Sequence, residues 1–161
     1  MKTLVAYFSR TGEQYGVGEI TEGNTKKLAE VIAEKTNGDL FEIKTVKEYP
    51  RNYNDVVNVA KEEKANDVKP ELAESCDISG YDTIFIGTPV WWYTFASPIR
   101  TFLTENDFTG KTIMPFCTHG GGGESSTYTE IEKLCPTANV KEGFTSYHDS
   151  ATVEDIKKWI K

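Results

Sequence analysis

The chain has 161 residues, of which 38% are hydrophobic and 12% are aromatic. This length and composition predict one folded domain over residues 1–161 with a buried core, and they exclude a globally disordered chain. Asp and Glu outnumber Lys and Arg by 25 to 18, and the resulting net charge of −7 argues against nucleic acid or an anionic membrane as a partner.

The first part of the chain predicts a strand, a helix and a second strand. An apolar run at 4–8 is typical of a central parallel strand. The following helix has Asn24 or Thr25 as its cap and ends before Asn37-Gly38. Its predicted buried stripe consists of Leu28, Val31 and Ile32. Residues 41–45 then alternate between two faces, which predicts an edge strand.

The remaining elements continue this alternation. A charged helix at about 54–66 is followed by a loop at about 68–80. The inner face predicted for that helix consists of Val56, Val59 and Ala60. The later elements are a strand at 83–87, a helix with Ser97 as its cap and Pro98 in its first position, and a strand at 112–117. They are followed by a helix near 126–134, a short strand near 138–141 or slightly beyond it, and a helix capped by Thr152.

Five rounds of strand and helix predict a parallel sheet that is covered by helices on both faces and joined by right-handed crossovers. Ligands of such sheets bind in the crevice outside the carboxyl ends of the strands. Three predicted loops lie at that end, and each has a different chemistry.

The first loop is rich in hydroxyl groups and precedes a helix. Its polar residues are Ser9, Thr11, Asn24 and Thr25. Free N–H groups and the positive end of the helix dipole favour a phosphate monoester there, although an ordinary capped turn would use the same residues. The glycine pattern of a triphosphate-binding loop is missing. A glycine-containing insertion occupies about 13–23, where Tyr15 could either cover a ligand or anchor its own loop.

The second loop contains three consecutive aromatic residues. It consists of Thr88, Pro89, Val90, Trp91, Trp92 and Tyr93. Pro89 stiffens the turn, and flat rings can stack on a flat ligand. We expect at least one of these rings to pack in the core or at a subunit contact, and we slightly favour Trp91 over Trp92 as the stacking ring.

The third loop follows Cys117 and is rich in glycine. It consists of Thr118, His119, Gly120, Gly121 and Gly122. Adjacent glycines let the backbone lie close to a ring, and His119 is either a donor at the ring edge or a residue that orders the loop. The His-Gly-Gly-Gly sequence also resembles an esterase oxyanion loop, but the chain has no Gly-x-Ser-x-Gly elbow, which argues against a hydrolase.

Targeting signals and metal-binding cysteine patterns are missing from the sequence. No apolar run reaches the roughly 20 residues of a membrane helix, and the N-terminus leads directly into a strand instead of a signal sequence. We therefore expect a soluble, cytoplasmic protein. The cysteines Cys76, Cys117 and Cys135 lack a C-x-x-C pair, so we expect reduced, partly buried thiols and no metal site.

Together, the three loops resemble the FMN site of the flavodoxin-like family. The segments that carry the resemblance are Ser9-x-Thr11-Gly12 with Asn24-Thr25, Tyr81–Trp92 and Phe116–Gly121. The resemblance covers nearly the whole chain. It implies an α/β fold, namely a flavodoxin-like three-layer αβα sandwich with a five-stranded parallel sheet of order 2-1-3-4-5. It also implies FMN as the cofactor, with the phosphate at the first loop, Arg10 contributing backbone or a distant charge, and the ring between the other two loops.

The function that this resemblance implies is electron transfer, or NAD(P)H-dependent reduction of quinones or similar small acceptors. The redox chemistry belongs to the cofactor, so we name no catalytic residue, and we expect an acidic, apolar-walled site to lower the reduction potential. The redox partner would be a protein reductase, a nicotinamide or a quinone, with the oligomeric state left open. The alternative is a non-enzymatic binding module of the same fold with an empty or regulatory site.

Overall fold

The computed structural model describes residues 2–14, 18–20 and 22–161. In chain order, its strands and helices are β1 (Thr3–Tyr7), β2 (Gly12–Gln14), β3 (Gly18–Ile20), α1 (Asn24–Thr36), β4 (Asp39–Glu42), α2 (Tyr53–Ala65), β5 (Thr83–Trp91), β6 (Thr94–Phe95), α3 (Ser97–Glu105), β7 (Thr112–His119), α4 (Thr127–Leu134), β8 (Asn139–Val140), β9 (Phe144–Tyr147) and α5 (Val153–Ile160). Within the described residues, no helix combines the length and the hydrophobicity needed to span a bilayer.

The main sheet confirms the predicted strand order. β4, β1, β5 and β7 lie side by side and parallel, and the position beyond β7 is filled first by β8 and then by β9. Counted along the chain, these five positions have the order 2-1-3-4-5. One strand departs from the parallel pattern, because β6 pairs antiparallel with the end of β5. β2 and β3 form a separate antiparallel hairpin.

Two apolar cores on opposite faces of the sheet explain the continuous apolar runs of the central strands. Side chains alternate along a strand, so Leu4 and Ala6 of β1 lie in one core while Val5 and Tyr7 lie in the other. The first core includes Ile99, Phe102 and Leu103 from α3 and Ile131 from α4. The second core includes Leu28, Ala29, Ile32 and Ala33 from α1 and Ile156 from α5. The fold is therefore the expected three-layer sandwich.

Several predicted helix ends are confirmed by their capping geometry. α1 ends at Asn37, which has a φ of 53° and donates its backbone N–H to the Ala33 carbonyl. α5 begins with a capping box, in which the Thr152 hydroxyl accepts from the Asp155 N–H and the Asp155 carboxylate accepts from the Thr152 N–H.

Other predicted boundaries and faces are wrong. α1 is capped at Gly23 and not at Asn24 or Thr25, and Ala96 precedes α3, so Ser97 is already helical. On α2, Val56 and Ala60 are buried one turn apart, whereas Val59 points away from that face and is 37% exposed.

The second strand also differs from its prediction. β4 covers Asp39–Glu42 instead of 41–45. The Ile43 N–H still donates to the Tyr7 carbonyl at 2.7 Å, but the chain then turns to the 71–73 segment. There Thr45 forms an antiparallel bridge with Leu72, which takes it out of the main sheet.

Candidate functional site

A cavity of about 540 Å³ lies at the carboxyl ends of the central strands. Arg10 and Asn24 border it from the segments after β1, 89–93 border it from the end of β5, and 118–123 border it from the end of β7. The three predicted loops therefore lie together at one site, at the strand edge where sheets of this order bind ligands. Tyr15 lies outside the described residues.

The first loop is built around the N-terminus of α1. Ser9 Oγ accepts a hydrogen bond from the Lys26 N–H at 3.2 Å and so caps the helix from outside. Gly23 makes this approach feasible, because a Cβ at this position would collide with Ser9 Oγ. The positive end of the helix dipole is thus held next to the end of β1, where Asn24 borders the cavity.

Arg10 is anchored at the same end of the cavity. Its Nε and Nη2 atoms donate to the Pro50 carbonyl at 3.3 and 3.1 Å, and Nη2 also donates to the Arg51 carbonyl at 2.7 Å. Arg10 is the only Lys, Arg, Asp or Glu among the described residues that line the cavity. That Arg10 contributes backbone or a distant charge stays a prediction. The described lining has no carboxylate, which differs from the expected acidic site.

Two predicted phosphate ligands use their hydroxyl groups within the protein. Thr25 and Thr118 are both buried, and their Oγ1 atoms are 2.8 Å apart. Thr11 Oγ1 accepts from Arg51 Nη1 at 3.3 Å. Thr11 and Thr25 are not among the described residues that line the cavity, and the Thr25–Thr118 bond ties α1 to the end of β7.

The second loop is a strand extension followed by a tight turn. β5 continues through Trp91, which pairs with Thr94 of β6. The two intervening residues, Trp92 and Tyr93, have φ values of 53° and 70°. Two-residue hairpin turns with both φ values positive usually contain Asn and Gly, because a left-handed backbone costs other residues roughly 1–2 kcal/mol each. We call residues 90–95 the aromatic hairpin.

Contacts from α2 hold this unfavourable turn. Trp92 Nε1 donates to the Val57 carbonyl at 2.8 Å, and Lys64 Nζ donates to the Trp92 carbonyl at 2.5 Å. Lys61 Nζ lies 5.5 Å from the centre of the Trp92 ring, and Lys64 Nζ lies 5.6 Å from the centre of the Tyr93 ring. Strained backbone persists where several neighbours determine it, and this turn meets that condition.

Trp91 has both a core face and a cavity face. Its ring meets Phe8 and Tyr49 edge-on at centroid distances of 5.4 and 5.0 Å, and Trp91 also borders the cavity. This confirms that at least one of the three aromatic rings packs in the core. At the base of the hairpin, buried Thr88 accepts from the Ala96 N–H at 3.0 Å and donates to the Pro89 carbonyl at 2.8 Å, so its hydroxyl also serves the fold.

The third loop is folded around the imidazole of His119. His119 Nδ1 accepts from the backbone N–H groups of Gly121 at 3.0 Å and Gly123 at 3.1 Å. An accepting Nδ1 places the proton of the neutral ring on Nε2. Burial lowers the pKa of His119, and the neighbouring His148 lowers it further, whereas Glu124 acts in the opposite direction. We call residues 119–123 the glycine loop, and loop ordering is the role that its contacts show for His119.

The glycine loop presents bare backbone to the cavity. A Cβ at Gly121, Gly122 or Gly123 would have no heavy atom within 4 Å among the described residues. Gly121 has a φ of 144°, a conformation that only glycine adopts without strain. Cys117, just before this loop, is buried with its Sγ 3.2 Å from Tyr128 Oη, and burial raises its thiol pKa to about 11, so it is not a reactive thiol.

Comparison with known proteins identifies the family. The flavodoxin family model matches residues 2–161. The chain belongs to the flavodoxin family. Among curated proteins, no significant match was found.

Solved structures of similar proteins agree with this flavodoxin assignment. A protein described as a flavoprotein from Bacteroides uniformis is 32% identical, with a TM-score of 0.82 and coverage of 99% of this chain and 97% of that chain. The corresponding values for a Bacteroides eggerthii protein described in the same way are 29%, 0.81, 99% and 95%. A Lactobacillus acidophilus flavoprotein solved in complex with FMN is 26% identical, with a TM-score of 0.74 and coverage of 99% of both chains.

Sequence reasoning missed one wall of the flavodoxin cavity. Tyr53, Val56, Val57 and Ala60 of α2 border it, as does His148 after β9. α2 begins beyond the carboxyl end of β4, so the predicted strand order already indicated that its first turns approach the site. For His148 the signal was weaker. Its backbone N–H donates to the His119 carbonyl at 2.8 Å, a contact between distant segments.

Proposed function

We propose that this protein binds FMN in the cavity and uses it in redox reactions, with the phosphate near Arg10 and Asn24 and the ring between the aromatic hairpin and the glycine loop. One observation carries the proposal. A cationic, dipole-bearing end and two walls suited to a flat ring border the same cavity.

The phosphate end combines two sources of positive potential. The guanidinium of Arg10 is held by the Pro50 and Arg51 carbonyls, and the N-terminus of α1 begins at Asn24. A phosphate dianion gains charge-assisted hydrogen bonds from a guanidinium and from free N–H groups at a helix N-terminus. This donor set fits a phosphate ester.

The ring end has one apolar wall and one backbone wall. Trp91 and Trp92 supply aromatic surface, and Gly121 and Gly122 leave space where a Cβ would otherwise stand. A planar ring can stack on the first wall while its polar edge approaches the peptide groups of the second. These surfaces fit an isoalloxazine ring.

Bound FMN supplies the redox chemistry, and the protein supplies orientation and environment. The described lining contains no carboxylate or thiol, and its titratable side chains other than Arg10 are imidazoles and phenols. One of these imidazoles, His119, has its Nδ1 engaged by the glycine loop, and we propose that the described lining mainly holds and shields the ring. We infer that electron transfer to a redox partner is the main role.

A second role within the same family is favoured by the wall from α2. Val56, Val57 and Ala60 add apolar surface beyond that of the two loops. Such a surface suits a flat organic acceptor such as a quinone, with a reduced nicotinamide as the electron donor. The protein would then act as an NAD(P)H-dependent reductase.

The phosphate assignment is tested with Arg10→Gln and two ligands. We expect this substitution to weaken FMN binding roughly 10- to 100-fold and to leave riboflavin affinity nearly unchanged, because only FMN carries the phosphate. Arg51→Gln is the matched control, since Arg51 is not among the lining residues. Equal losses for FMN and riboflavin in Arg10→Gln would contradict the assignment.

The two roles are separated by the purified protein loaded with FMN. Rapid oxidation of NADH or NADPH in the presence of a quinone, without any second protein, supports the reductase. Reduction by a protein reductase, with no nicotinamide oxidation by the protein alone, supports the carrier. A protein that is colourless after incubation with saturating FMN and removal of the unbound FMN would instead be the non-enzymatic binding module.

A further inference from the structure

One ring nitrogen accepts two of the backbone hydrogen bonds that shape the glycine loop. Gly121 and Gly123 both have positive φ values, of 144° and 71°, and their N–H groups both point to His119 Nδ1. Glycines contribute no side chains, and a Cβ at Gly121, Gly122 or Gly123 would meet no described heavy atom within 4 Å, so side-chain packing contributes little to this segment. The imidazole therefore supplies two hydrogen bonds to the loop, beside those from the His148 N–H to the His119 carbonyl at 2.8 Å and from Ser125 Oγ to the Gly122 carbonyl at 3.4 Å.

Protonation of that nitrogen would reverse the interaction. Neutral His119 accepts at Nδ1, but a protonated imidazole donates from both nitrogens and cannot accept from either glycine. If a proton from solvent binds Nδ1, the new Nδ1–H group faces the N–H groups of Gly121 and Gly123, and no acceptor remains between them. Both hydrogen bonds would break, and the Nε2 proton would be unaffected.

The surroundings of His119 favour its neutral form. His148 follows β9, and its ring lies 4.5 Å from that of Tyr147, which in turn lies 5.5 Å from the His119 ring. Burial and His148 lower the pKa of His119, and Glu124, just after the glycine loop, raises it by a smaller amount. Asp149 is paired with Lys27 of α1 at 3.1 Å.

We propose that His119 is the positioning residue of the FMN site and makes cofactor binding pH-dependent. The neutral imidazole folds the glycine loop into the shape that receives the ring, and protonation at Nδ1 releases it. This inference rests on the proposed FMN function and adds that acid weakens the affinity for the cofactor.

The direction of the pH effect follows from linkage. The pKa of His119 is lower in the folded protein than its ordinary value of about 6.5. The stability that neutral His119 contributes is therefore complete above about pH 6.5 and is lost as the pH falls through the lowered value. If FMN binds only the folded loop, bound FMN lowers this pKa further, and its affinity falls over the same acidic range.

Two substitutions separate the acceptor from its titration. His119→Asn keeps an acceptor oxygen close to the position of Nδ1 but does not titrate, whereas His119→Leu removes the acceptor. Dissociation constants for FMN and riboflavin would be measured by flavin fluorescence between pH 5 and pH 8. Riboflavin is included because the phosphate of FMN titrates near pH 6, as phosphate monoesters do.

For the wild type we expect riboflavin affinity to fall by up to about tenfold per pH unit below the pKa of His119. His119→Asn should bind almost as tightly as the wild type at pH 8 and show no such slope. His119→Leu should bind about tenfold more weakly at every pH, also without a slope. A riboflavin slope that survives in His119→Asn would overturn the proposal.

A second measurement on the FMN-free protein addresses the loop itself. The amide signals of Gly121 and Gly123 in NMR spectra should shift with the same midpoint as the His119 ring, and they should not titrate in His119→Asn. The slope should persist in His148→Asn, since asparagine tolerates the left-handed φ of 51° at that position. If the pH dependence of riboflavin affinity is lost in His148→Asn but not in His119→Asn, His148 and not His119 is the titrating residue, and the proposal is wrong.

The two proposals fail in different ways. Failure of the proposed function would be the absence of FMN binding at pH 8, and the glycine amide titration would still report on His119. This inference would fail if FMN binds tightly at pH 8 but the amide signals of Gly121 and Gly123 do not shift when His119 is protonated.

Discussion

The aromatic hairpin and the glycine loop border the same cavity but are stabilised in opposite ways. The hairpin places Trp92 and Tyr93 in a left-handed backbone, and it is held by several separate contacts with α2. The glycine loop contains residues that tolerate its backbone, and two of its backbone N–H groups share one imidazole acceptor.

This difference shows two solutions to the same problem. A wall with several weak contacts can lose one of them and keep its shape, so the hairpin suits a rigid stacking surface. Two hydrogen bonds of the glycine loop share one titratable acceptor, so this wall responds to a single proton and suits an adjustable surface. The following predictions test this contrast.

The largest effect is expected for Trp91→Ala, because this ring anchors the hairpin to the core. Removing a ring that packs on Phe8 and Tyr49 should lower the free energy of unfolding by roughly 3 kcal/mol. Urea denaturation of the FMN-free protein measures this change. Trp92→Ala is the control and should lower the free energy of unfolding by less than Trp91→Ala. A larger loss for Trp92→Ala would show that the turn and not Trp91 anchors the hairpin.

The base of the glycine loop should show a smaller but strongly coupled effect. Thr25→Val leaves the buried Thr118 hydroxyl without its partner and should cost about 2 kcal/mol of stability. The double substitution Thr25→Val with Thr118→Val should cost less than the sum of the single ones, because both partners become apolar. Additive losses would mean that the two hydroxyls do not depend on each other.

Backbone conformation in the glycine loop is tested by a matched pair. Alanine at Gly121 meets no neighbour, but it is strained by roughly 1–2 kcal/mol at the positive φ, which should weaken FMN binding about tenfold. Gly110→Ala also meets open space and is strained at a φ of 76°, but Gly110 is not among the described residues that line the cavity, so its FMN affinity should change little. Similar affinities for both variants would exclude loop strain as a determinant of binding.

The smallest effect, with the opposite sign, is expected at the tip of the hairpin. Tyr93 is 64% exposed and has a left-handed backbone that Asn adopts more readily, so Tyr93→Asn should raise the free energy of unfolding by roughly 0.5–1 kcal/mol. Tyr147 is 52% exposed in a strand, and Tyr147→Asn should slightly destabilise the protein. Thermal unfolding distinguishes the two signs.

Much of the fold could be predicted because its signals are local. Continuous apolar runs marked the central strands, and capping residues such as Thr152 and Asn37 marked helix ends. The errors fell where distant segments determine local structure. Ser9 caps α1 across the Gly23 turn, and residues 71–73 draw Thr45 away from the sheet.

The candidate site was predictable in composition but less so in the roles of its residues. Hydroxyl groups in the first two loops suggested ligand donors, yet Thr25 and Thr88 bond to other parts of the protein. Whether a hydroxyl faces a ligand or a neighbour depends on which segment packs beside it. The same reason explains why α2 and His148 were missed as wall residues.

The sequence by itself determined the order of strands and helices, the three loops at one sheet edge and the resemblance to a flavin-binding family. These features depend on periodicity and on short segments, which act before the chain is packed. Only the tertiary structure decided that Arg10 borders the cavity, that Trp92 and Tyr93 adopt a left-handed turn and that His119 folds the glycine loop. Each of these depends on contacts between residues whose geometry exists only after the sheet and helices have come together.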